Sequence, residues 1–426
     1  MKVLQINTVY KTGGSTGRIV YDLKNVMESN DIEGYVAFGY GYTPDAAERD
    51  RLFKIDTDGE LFISKVYTKL IGHHGFNNLC ETKRLLKWID KIEPDIVHLH
   101  NIHNHYVNIE LLLTYIKEYK IPCVLTMHDC WTFTGHCAYF DYSGCCRWQT
   151  GCGHCPNLHD YPVTYAIIDP SQWNYRHKRE LFKDLDVVLV PPSKWLADLV
   201  AQSFLKEKNC LVINNGVDTD VFKPLQNTDV KRRLGIEGKK MVLAMASGFI
   251  KRKGIDYLLK LPQMLNDDEV LVLVGVNRRQ KHLLPADKCI GIERTNNVTE
   301  LAEYYSAADV FVNTTLEDNF PTTNIEALAC GTPVITFDTG GSVESVLDDE
   351  TEIRVGQSTM TSVGAVVPQK DISSLLNAAR KICERGKKHY LTECRHKALS
   401  RYEKVKQYEK YVDLYKNIYS RGPKGR

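Results

Sequence analysis

The chain has 426 residues, with 43% hydrophobic and 25% charged residues and a formal net charge of +2. This length predicts two or three domains rather than a single core, and the composition is typical of a soluble globular protein. A net charge so close to zero argues against general nucleic-acid binding, because that function needs a strongly basic surface.

The start of the chain, MKVLQINTVYKTGG, predicts a strand that runs into a glycine turn. It lacks the long apolar core of a secretory signal peptide. No apolar run approaches the roughly 20 residues that a membrane-spanning helix needs. We therefore expect a cytoplasmic protein, which can still dock on the cytoplasmic face of a membrane. In that compartment the 13 cysteines are expected to be free, metal-bound or catalytic rather than paired.

Short apolar runs alternate with helix-like segments along the chain, which predicts α/β layers around parallel sheets. The runs are continuous, as expected for strands that are covered on both faces. The predicted strands of the first half are Val3–Ile6, Tyr35–Phe38, Ile96–Leu99, Cys123–Thr126 and Val187–Val190. Those of the second half are Met241–Ala246, Val270–Gly275, Val310–Val312 and Val334–Thr336.

A connector rich in turn-forming residues, Asn214–Pro224, separates the two sets of strands. It predicts two doubly wound domains of similar size, residues 1–214 and residues 215–403, that face each other across a cleft. A helical pattern covers roughly Ser373–Tyr419 at the end of the chain. Ligands of such sheets bind beyond the carboxyl ends of the strands, so this cleft is the expected active site.

Two loops of the first half follow predicted strands and carry candidate ligand contacts. In the loop TGGSTGR, Thr12–Arg18, Gly14 would let the backbone approach a ligand, and the helix start that follows favours a phosphate. A tight turn that packs helix against strand is the alternative. His128, followed by Asp129, comes at the end of a strand in the presumed cleft. It is a candidate for contacting substrate, with a structural histidine as the alternative.

A cationic loop follows the first strand of the second half. Lys251, Arg252 and Lys253 are adjacent there. Three cations in a loop are usually just solvated, but these lie at the strand end where the ligand is expected. A Lys or Arg at that place would neutralise a diphosphate and stabilise the charge that grows on it as it departs.

An acidic turn and a short helix follow the strand Val310–Val312, in the sequence EDNFPTTNIEALACGTPVI. Glu317 and Asp318 at the strand end and Glu326 in the helix can grip the hydroxyls of a ligand, and the helix start can hold an anion. A nucleotide sugar offers both groups. The alternative is a capping box of Thr323 and Glu326, in which the glutamate only satisfies a backbone donor.

Six cysteines fall in the segment 130–160, which indicates an insertion with a structural metal site. Four of them, Cys137, Cys145, Cys152 and Cys155, give the spacing C-x7-C-x6-C-x2-C, which suits tetrahedral zinc. Other ligand sets stay open, since Cys146 could replace Cys145 and either His136 or His154 could enter. The segment's aromatic and glycine content predicts little core of its own, so a metal would add stability. Disulfides and reduced thiols packed as small apolar groups are the alternatives.

Taken in order, these motifs resemble family 4 of the retaining glycosyltransferases of the GT-B fold. The similar elements are TGGSTGR, PDIVHLHN, TMHD, NNGVDTDVF, KRKG and EDNFPTTNIEALACGTPVI followed by Thr339-Gly340-Gly341. The segment HDCWTFTGHCAYFDYSGCCRWQTGCGHCP further resembles bacterial exopolysaccharide transferases of the colanic-acid type. The resemblance implies two Rossmann-like domains, an acceptor-side domain over 1–214 and a donor-binding domain over 215–403. It also implies that a last helix, 404–426, packs back on the first domain.

The resemblance further implies a role for single residues. Glu326 would bind the ribose hydroxyls, Lys253 would hold the diphosphate, and Gly14 would approach the diphosphate from the other domain. His128 would contact the donor sugar near the reacting centre, as would the acid that opens the block. The catalytic set would then be His128, Asp318 and Lys253. The donor-binding set would be Gly14, Arg252, Lys253, Glu317, Asp318, Asn319, Phe320 and Glu326.

Two departures from the family pattern leave part of this site open. The family's usual acidic pair is Glu-x7-Glu, but Asp318 holds the first position here and Glu317 stands beside it. Either acid could therefore contact the sugar. The family also usually places an arginine where this chain has Gly248, and Arg252 is a candidate to supply the missing charge.

The resulting hypothesis is transfer of a sugar from a nucleotide-sugar donor to a glycan or lipid-linked glycan acceptor, in exopolysaccharide, capsule or other cell-surface polysaccharide synthesis. Retention would need no enzymic nucleophile, because the departing diphosphate can accept the acceptor's proton. We expect no catalytic metal or other cofactor, since the Asp-x-Asp pairs at 56/58, 184/186 and 218/220 resemble turn residues. A nucleotide-sugar epimerase of the same fold and a zinc-stabilised binding module are the alternatives.

Overall fold

A computed structural model describes residues 1–11, 14–45, 47–55, 58–285, 287–347 and 356–422, without the side chains of 58–61. The chain divides into two compact units, Met1–Asn214 with Tyr408–Arg426, and Asn215–Gln407. Three predicted features extend beyond the described residues: Thr12 and Gly13 of the glycine loop, the Asp-x-Asp pair at 56/58, and the last four residues of the predicted helix 404–426.

The first unit is built around a seven-stranded parallel sheet in its described residues. Its strands, in chain order, are β1 Lys2–Val9, β2 Glu33–Tyr40, β3 Leu52–Lys54, β4 Ile96–Leu99, β5 Cys123–Thr126, β6 Val187–Val190 and β7 Asn209–Cys210. They lie in the order β3-β2-β1-β4-β5-β6-β7. Its helices are α1 Ser15–Glu28, α2 Asp58–Ile71, α3 Leu79–Ile92, α4 Ile109–Glu118, α5 Ser171–Lys183 and α6 Lys194–Gln202.

The second unit repeats this design with a second seven-stranded sheet, again counted over described residues. Its helices, in chain order, are α7 Val230–Arg233, α8 Ile255–Leu258, α9 Arg278–His282, α10 Val298–Ala307, α11 Thr322–Ala329, α12 Ile372–Arg385 and α13 Lys387–Arg401. Its strands are β8 Lys240–Met245, β9 Glu269–Val274, β10 Cys289–Ile292, β11 Val310–Asn313, β12 Val334–Phe337, β13 Thr359–Thr361 and β14 Gly364–Val367. The strand order is β10-β9-β8-β11-β12-β14-β13, and only β13 runs antiparallel to its neighbour among these strands.

Both sheets reverse their strand order at one point, between β1 and β4 in the first unit and between β8 and β11 in the second. Loops leave such neighbouring strands in opposite directions, which opens a crevice at their carboxyl ends where ligands bind. The predicted doubly wound α/β architecture is therefore confirmed. All nine predicted strands are present, and β3, β7, β10, β13 and β14 are additional.

The last helix, α14 Lys404–Ser420, starts in the second unit and contributes its later turns to the first. Its buried Tyr408, Tyr411, Val412 and Tyr415 pack in one apolar cluster with strand residues such as Val3. This helix therefore completes one face of the first unit's core. Among the described helices, none is both long enough and apolar enough to cross a membrane.

Candidate functional site

The cationic loop of the second unit lies at the switch point of its sheet. After β8 the chain forms one turn of 3-10 helix, Lys251–Lys253, which ends at Gly254 with φ +73°. A Cβ on Gly254 would lie 1.9 Å from the carbonyl oxygen of Thr314, just after β11. The missing side chain therefore lets the cationic turn pack directly against the chain that leaves β11.

This packing brings the cations to the acidic turn. The Lys253 ammonium is ion-paired with the Asp318 carboxylate, and Arg252 Nη1 donates a hydrogen bond to the carbonyl oxygen of Glu317 at 2.5 Å. Burial alone would raise the pKa of Asp318, but the charges of Lys253 and Arg252 outweigh it and hold the pKa below the usual value. The site therefore presents an ionised carboxylate beside two cations.

The glycine pair after β12 fixes the acidic turn from the other side. The backbone N–H of Gly341 donates to the carbonyl oxygen of Asp318 at 3.0 Å. Gly340 has φ +54°, and a Cβ there would lie 2.3 Å from the same oxygen. The Thr339-Gly340-Gly341 segment of the sequence thus supports the backbone that carries Asp318.

The two candidate acids differ in what they offer a ligand. Glu317 is 0% exposed, whereas the Asp318 side chain keeps 14% of its surface accessible and its partner Lys253 keeps 27%. Asn319 and Phe320, from the same predicted donor-binding block, are both buried. The Phe320 carbonyl oxygen accepts a hydrogen bond from Asn215 Nδ2 at 3.1 Å, which ties the block to the start of its own unit.

Glu326 is held by a residue that the sequence did not reveal. Tyr305, on α10, donates its hydroxyl to Glu326 Oε2 at 2.9 Å. Burial raises the pKa of Glu326 to about 7, against the hydrogen bonds from Tyr305 and Thr322, which lower it. No motif marks Tyr305, because its contact with Glu326 depends on how α10 packs beside α11.

The capping-box alternative for Glu326 is wrong. Helix α11 begins at Thr322 after Pro321, with no side-chain cap, so Thr323 is already inside the helix. Glu326 is the fifth residue of that helix, not part of its first turn, and its carboxylate accepts from Tyr305. The Glu326 carboxylate therefore does not cap the helix, and the Tyr305 hydroxyl holds it in position.

At the corresponding point of the first unit lies Gly14, which immediately precedes α1. It has φ +113°, and a Cβ there would meet none of the described atoms within 4 Å. This conformation favours glycine. A backbone N–H at the start of a 14-residue helix, open on one side, is suited to an anion.

His128 belongs to a chain of neutral side chains whose proton positions follow from one another. Gln5 Nε2 donates to the Val20 carbonyl oxygen, so Gln5 Oε1 faces His100 Nε2 at 3.1 Å and accepts its proton. The pKa of His100 is held well below its usual value by burial, so His100 is neutral and its Nδ1 is an acceptor. His128 Nε2, 3.1 Å away, is therefore the donor.

His128 is itself kept neutral, because burial lowers its pKa to about 4. With the proton on Nε2, its Nδ1 carries the lone pair and can accept a hydrogen bond from a hydroxyl. The carboxylate of Asp129, the next residue, accepts hydrogen bonds from His103 Nε2 and from the Trp131 backbone N–H, both at 2.9 Å.

The helix α14 supports the same strand ends. His98 Nδ1 lies 2.6 Å from the Tyr415 hydroxyl, and His98 Nε2 lies 2.8 Å from Thr126 Oγ1. Thr126 Oγ1 is in turn 2.9 Å from the Tyr411 hydroxyl. Residues of β4, β5 and α14 thus form one buried polar network. Two of its members, His98 and Thr126, lie two residues before His100 and His128, respectively.

The structure does not support the predicted zinc site. No group of three or more His, Cys, Asp or Glu side chains within the described ranges is placed to hold a metal ion. Cys137 donates its S–H to Cys155, and this bond together with burial raises the pKa of Cys137 well above its usual value. Cys152 Sγ accepts from the Gly135 backbone N–H at 3.1 Å. Cys145, Cys152 and Cys155 pack against the apolar core as free thiols.

The physical reason lies in the aromatic residues of the same segment, which form an apolar core where little core was predicted. The Trp148 ring lies 5.2 Å from the Phe133 ring and 5.0 Å from the Phe140 ring, and all three residues are buried. His136, named as an alternative metal ligand, is buried beside His74, with 5.7 Å between the two rings. The segment is therefore stabilised by apolar packing.

Two family models match the chain. The model described as Glycosyltransferase Family 4 matches residues 16–221, and the model described as Glycosyl transferases group 1 matches residues 239–385. Together they span most of the two units. The chain belongs to these glycosyltransferases.

Similar proteins agree with this placement. WcaC of Escherichia coli K12, a glycosyl transferase named for colanic acid biosynthesis, is 24% identical over 98% of this chain and 100% of its own length. A sucrose-phosphate synthase from Thermosynechococcus elongatus has a TM-score of 0.71 at 16% identity, over 99% of this chain and 100% of that one. The Anabaena protein HepE, solved with UDP, has a TM-score of 0.65 at 14% identity, over 98% and 100%. The fold of this glycosyltransferase is GT-B.

Proposed function

We propose that this glycosyltransferase moves a sugar from a nucleotide-sugar donor to a glycan acceptor, with retention at the anomeric carbon. The observation that carries the proposal is the arrangement at the switch point of the second unit. There Lys253 and Arg252 stand beside Asp318. Charges of both signs at one strand end suit a ligand that has a diphosphate next to hydroxyl groups.

In the proposed reaction the bond from the anomeric carbon to the diphosphate oxygen breaks, and a bond to the acceptor oxygen forms on the same face of the sugar. The departing diphosphate takes the acceptor's proton. Lys253 stabilises the charge on the diphosphate, and Arg252 adds to that field. Because these cations carry that role, we propose that transfer needs no metal ion, which predicts full activity in EDTA.

For the donor's other parts, we propose that Glu326 accepts the ribose hydroxyls. Asp318 is the better candidate than Glu317 for the sugar, because Glu317 is fully buried while Asp318 keeps part of its carboxylate accessible. From the first unit we propose that Gly14 binds the diphosphate. We propose that His128 accepts a hydrogen bond from a donor-sugar hydroxyl through Nδ1, since its Nε2 donates to His100.

For the biological role we propose cell-surface polysaccharide synthesis at the cytoplasmic face of a membrane, on a glycan or lipid-linked glycan. The support is the full-length similarity to WcaC, whose name refers to colanic acid. UDP-sugars are the first donors to test, because the Anabaena relative was solved with UDP-glucose.

The test has two stages. A thermal-shift screen against UDP-, GDP- and ADP-sugars identifies the donor, because a ligand that binds only the folded state raises its stability. Release of free nucleotide is then measured with and without acceptor glycans, and the product's anomeric configuration is read by NMR. Release that needs an acceptor supports transfer. Epimerised donor without release, or inversion in the product, would refute the proposal.

A further inference from the structure

An apolar surface on the first unit remains uncovered. Five apolar side chains of α2 are exposed, at the spacing of one helix side: Phe62, Ile63, Val66, Tyr67 and Leu70. On the opposite side Thr68 is buried, and its hydroxyl accepts a hydrogen bond from Asn77 Nδ2 at 2.7 Å. The outer side of α2 has no covering element among the described residues.

A second segment, residues 161–173, continues this surface. Its strongest feature is a pair of adjacent isoleucines, Ile167 and Ile168, which are 99% and 84% exposed. Tyr165 and Trp173, on either side of them, are exposed as well. Two isoleucines so fully exposed at a loop tip make no contribution to the core. A contiguous exposed apolar patch of this kind marks an interaction site.

Hydrogen bonds join the two segments. The carbonyl oxygen of Lys69 accepts from the Tyr165 backbone N–H at 2.6 Å and from Thr164 Oγ1 at 2.7 Å. One turn later, His73 Nδ1 lies 2.7 Å from Asn174 Oδ1. The exposed side of α2 and the segment 161–173 therefore form one continuous surface, which we call the apolar face.

Across residues 62–71 and 161–176, which carry the apolar face, three basic side chains stand against one acidic side chain. Residues 62–71 include Lys65 and Lys69 and no acid, and Arg176 follows Trp173 by one helical turn. The single acid of 161–173, Asp169, is occupied by the backbone N–H groups of Cys155 and Ser171 at 2.7 and 2.8 Å. Exposed apolar and aromatic side chains flanked by cations are the chemistry that binds an anionic lipid surface.

We propose that the apolar face docks on a bilayer that contains anionic lipids, with Ile167 and Ile168 inserted among the acyl chains and Lys65 and Lys69 at the headgroups. A second copy of the chain fits less well, because a two-fold interface would bring Lys65 and Lys69 near their own counterparts. This proposal rests on the proposed function only for the biological role of the binding, because a lipid-linked acceptor would require the enzyme to be at a membrane.

The test is co-sedimentation of the full chain with phosphatidylcholine vesicles, with and without phosphatidylglycerol. We expect wild type to bind the mixed vesicles, and the double variant Ile167→Asp/Ile168→Asp to bind at least roughly tenfold less, given the apolar area that each isoleucine buries. The matched control is Leu283→Asp, an exposed apolar residue of the second unit, which should bind as wild type does.

The cations are tested with a second pair of variants. Lys65→Ala/Lys69→Ala should lower binding to the mixed vesicles by roughly tenfold and leave binding to pure phosphatidylcholine unchanged. Lys83→Ala/Lys87→Ala, exposed lysines with the same spacing on α3, should have a smaller effect. Equal losses in the two lysine pairs would show that only the general charge matters and would overturn the assignment of this face.

Two further results would overturn the proposal: wild type that stays in the supernatant with both kinds of vesicle, or a stable dimer that light scattering detects and that Ile167→Asp/Ile168→Asp dissociates. Vesicle binding is measured without donor, and nucleotide release is measured separately on a water-soluble acceptor. Failure of release with intact vesicle binding would then refute the proposed function alone, and the converse would refute only the apolar face as a lipid-binding surface.

Discussion

The two units place different chemistry at the same point of the same topology. At the switch point of the second sheet, Lys253, Arg252 and Asp318 form a charged group. At the first sheet, Gly14 follows β1 and the neutral His100 follows β4, the corresponding strands, and His100 is hydrogen-bonded to the neutral His128 after β5. The same topology thus presents charged groups in one unit and neutral hydrogen-bonding groups in the other.

The histidines show the same division over the whole chain. Of the 14 histidines, only His282, His389 and His396 lie in the second unit. Burial lowers the pKa of His98 to about 3 and that of His136 to about 4, so both are neutral in the folded first unit. These two buried histidines therefore make uncharged polar contacts that acid can disrupt.

The largest expected effect tests the charged half of this comparison. Lys253→Ala should lower turnover by about 10²–10³-fold, with a smaller loss of donor affinity, because the lysine's charge matters most as the diphosphate leaves. The measurement is steady-state kinetics of nucleotide release. Lys251→Ala, an exposed lysine of the same turn, is the matched control and should stay near wild type. Similar losses in both variants would contradict a specific role for Lys253.

A second prediction tests the neutral half. His128→Ala should lower transfer by about 10²-fold while the affinity for free nucleotide stays unchanged, because the histidine is proposed to contact only the sugar. Calorimetric titration with the nucleotide and kinetics with the nucleotide sugar separate the two quantities. His154→Ala, an exposed histidine of the same unit, is the control. A variant that melts at lower temperature with unchanged specific activity would make His128 a core residue only.

A third prediction concerns acid. Buried histidines whose folded pKa lies below the unfolded value stabilise the fold above about pH 6.5, and that stability is lost as the pH falls toward the folded pKa. Each can cost up to about 1.4 kcal/mol of unfolding free energy per pH unit in that window. All 5 tryptophans lie in the first unit, so their fluorescence follows its unfolding alone. We expect the unfolding free energy of the first unit, followed by this fluorescence, to fall steeply between pH 6.5 and 4.

The acid prediction is checked with two variants in which glutamine, which does not titrate, replaces a histidine. His98→Gln should make the pH dependence shallower, because one buried site no longer titrates in the unfolded chain. His282→Gln, in the second unit and exposed, should leave it unchanged. Stability that does not change from pH 6.5 to 4 would show that the buried histidines do not control the first unit's acid response.

The smallest expected effect separates stability from binding at Glu326. Its raised pKa of about 7 means that the folded protein favours the protonated form, a contribution that is fully present below the unfolded pKa and lost as the pH rises through 7. Glu326→Gln should therefore raise the melting temperature of the ligand-free protein at pH 8, by roughly 2–4 °C per kcal/mol regained. The same variant should lose most of the melting-temperature increase that nucleotide causes. A lower melting temperature without nucleotide would contradict the burial argument.

Much of the fold could be predicted from sequence, because buried parallel strands are continuous apolar runs. Strands β4, β5 and β6 have the predicted bounds. The strands that were missed are the short or edge ones, such as β3 and β10, together with β14, which starts with Gly-Ala and gives no strong apolar signal. These strands form because a neighbouring strand is available to pair with them. A local sequence pattern contains no information on that pairing.

The candidate site was predictable only in part. Motifs marked Lys253, Asp318 and Glu326, but Tyr305 and Gln5 act through contacts between elements distant in sequence. The cysteine spacing suggested zinc because spacing alone does not tell how the thiols are oriented. The aromatic packing around Trp148 shows that the same residues can instead line an apolar core.

The last helix has a consequence for the order in which the protein forms on the ribosome. The core of the first unit includes Tyr411 and Tyr415, which are synthesised after the whole of the second unit. Domains are expected to fold as they emerge, starting with the N-terminal one. Here the first unit cannot close its core at that stage, so one side of its sheet must stay uncovered until Tyr411 and Tyr415 have been synthesised and have left the exit tunnel.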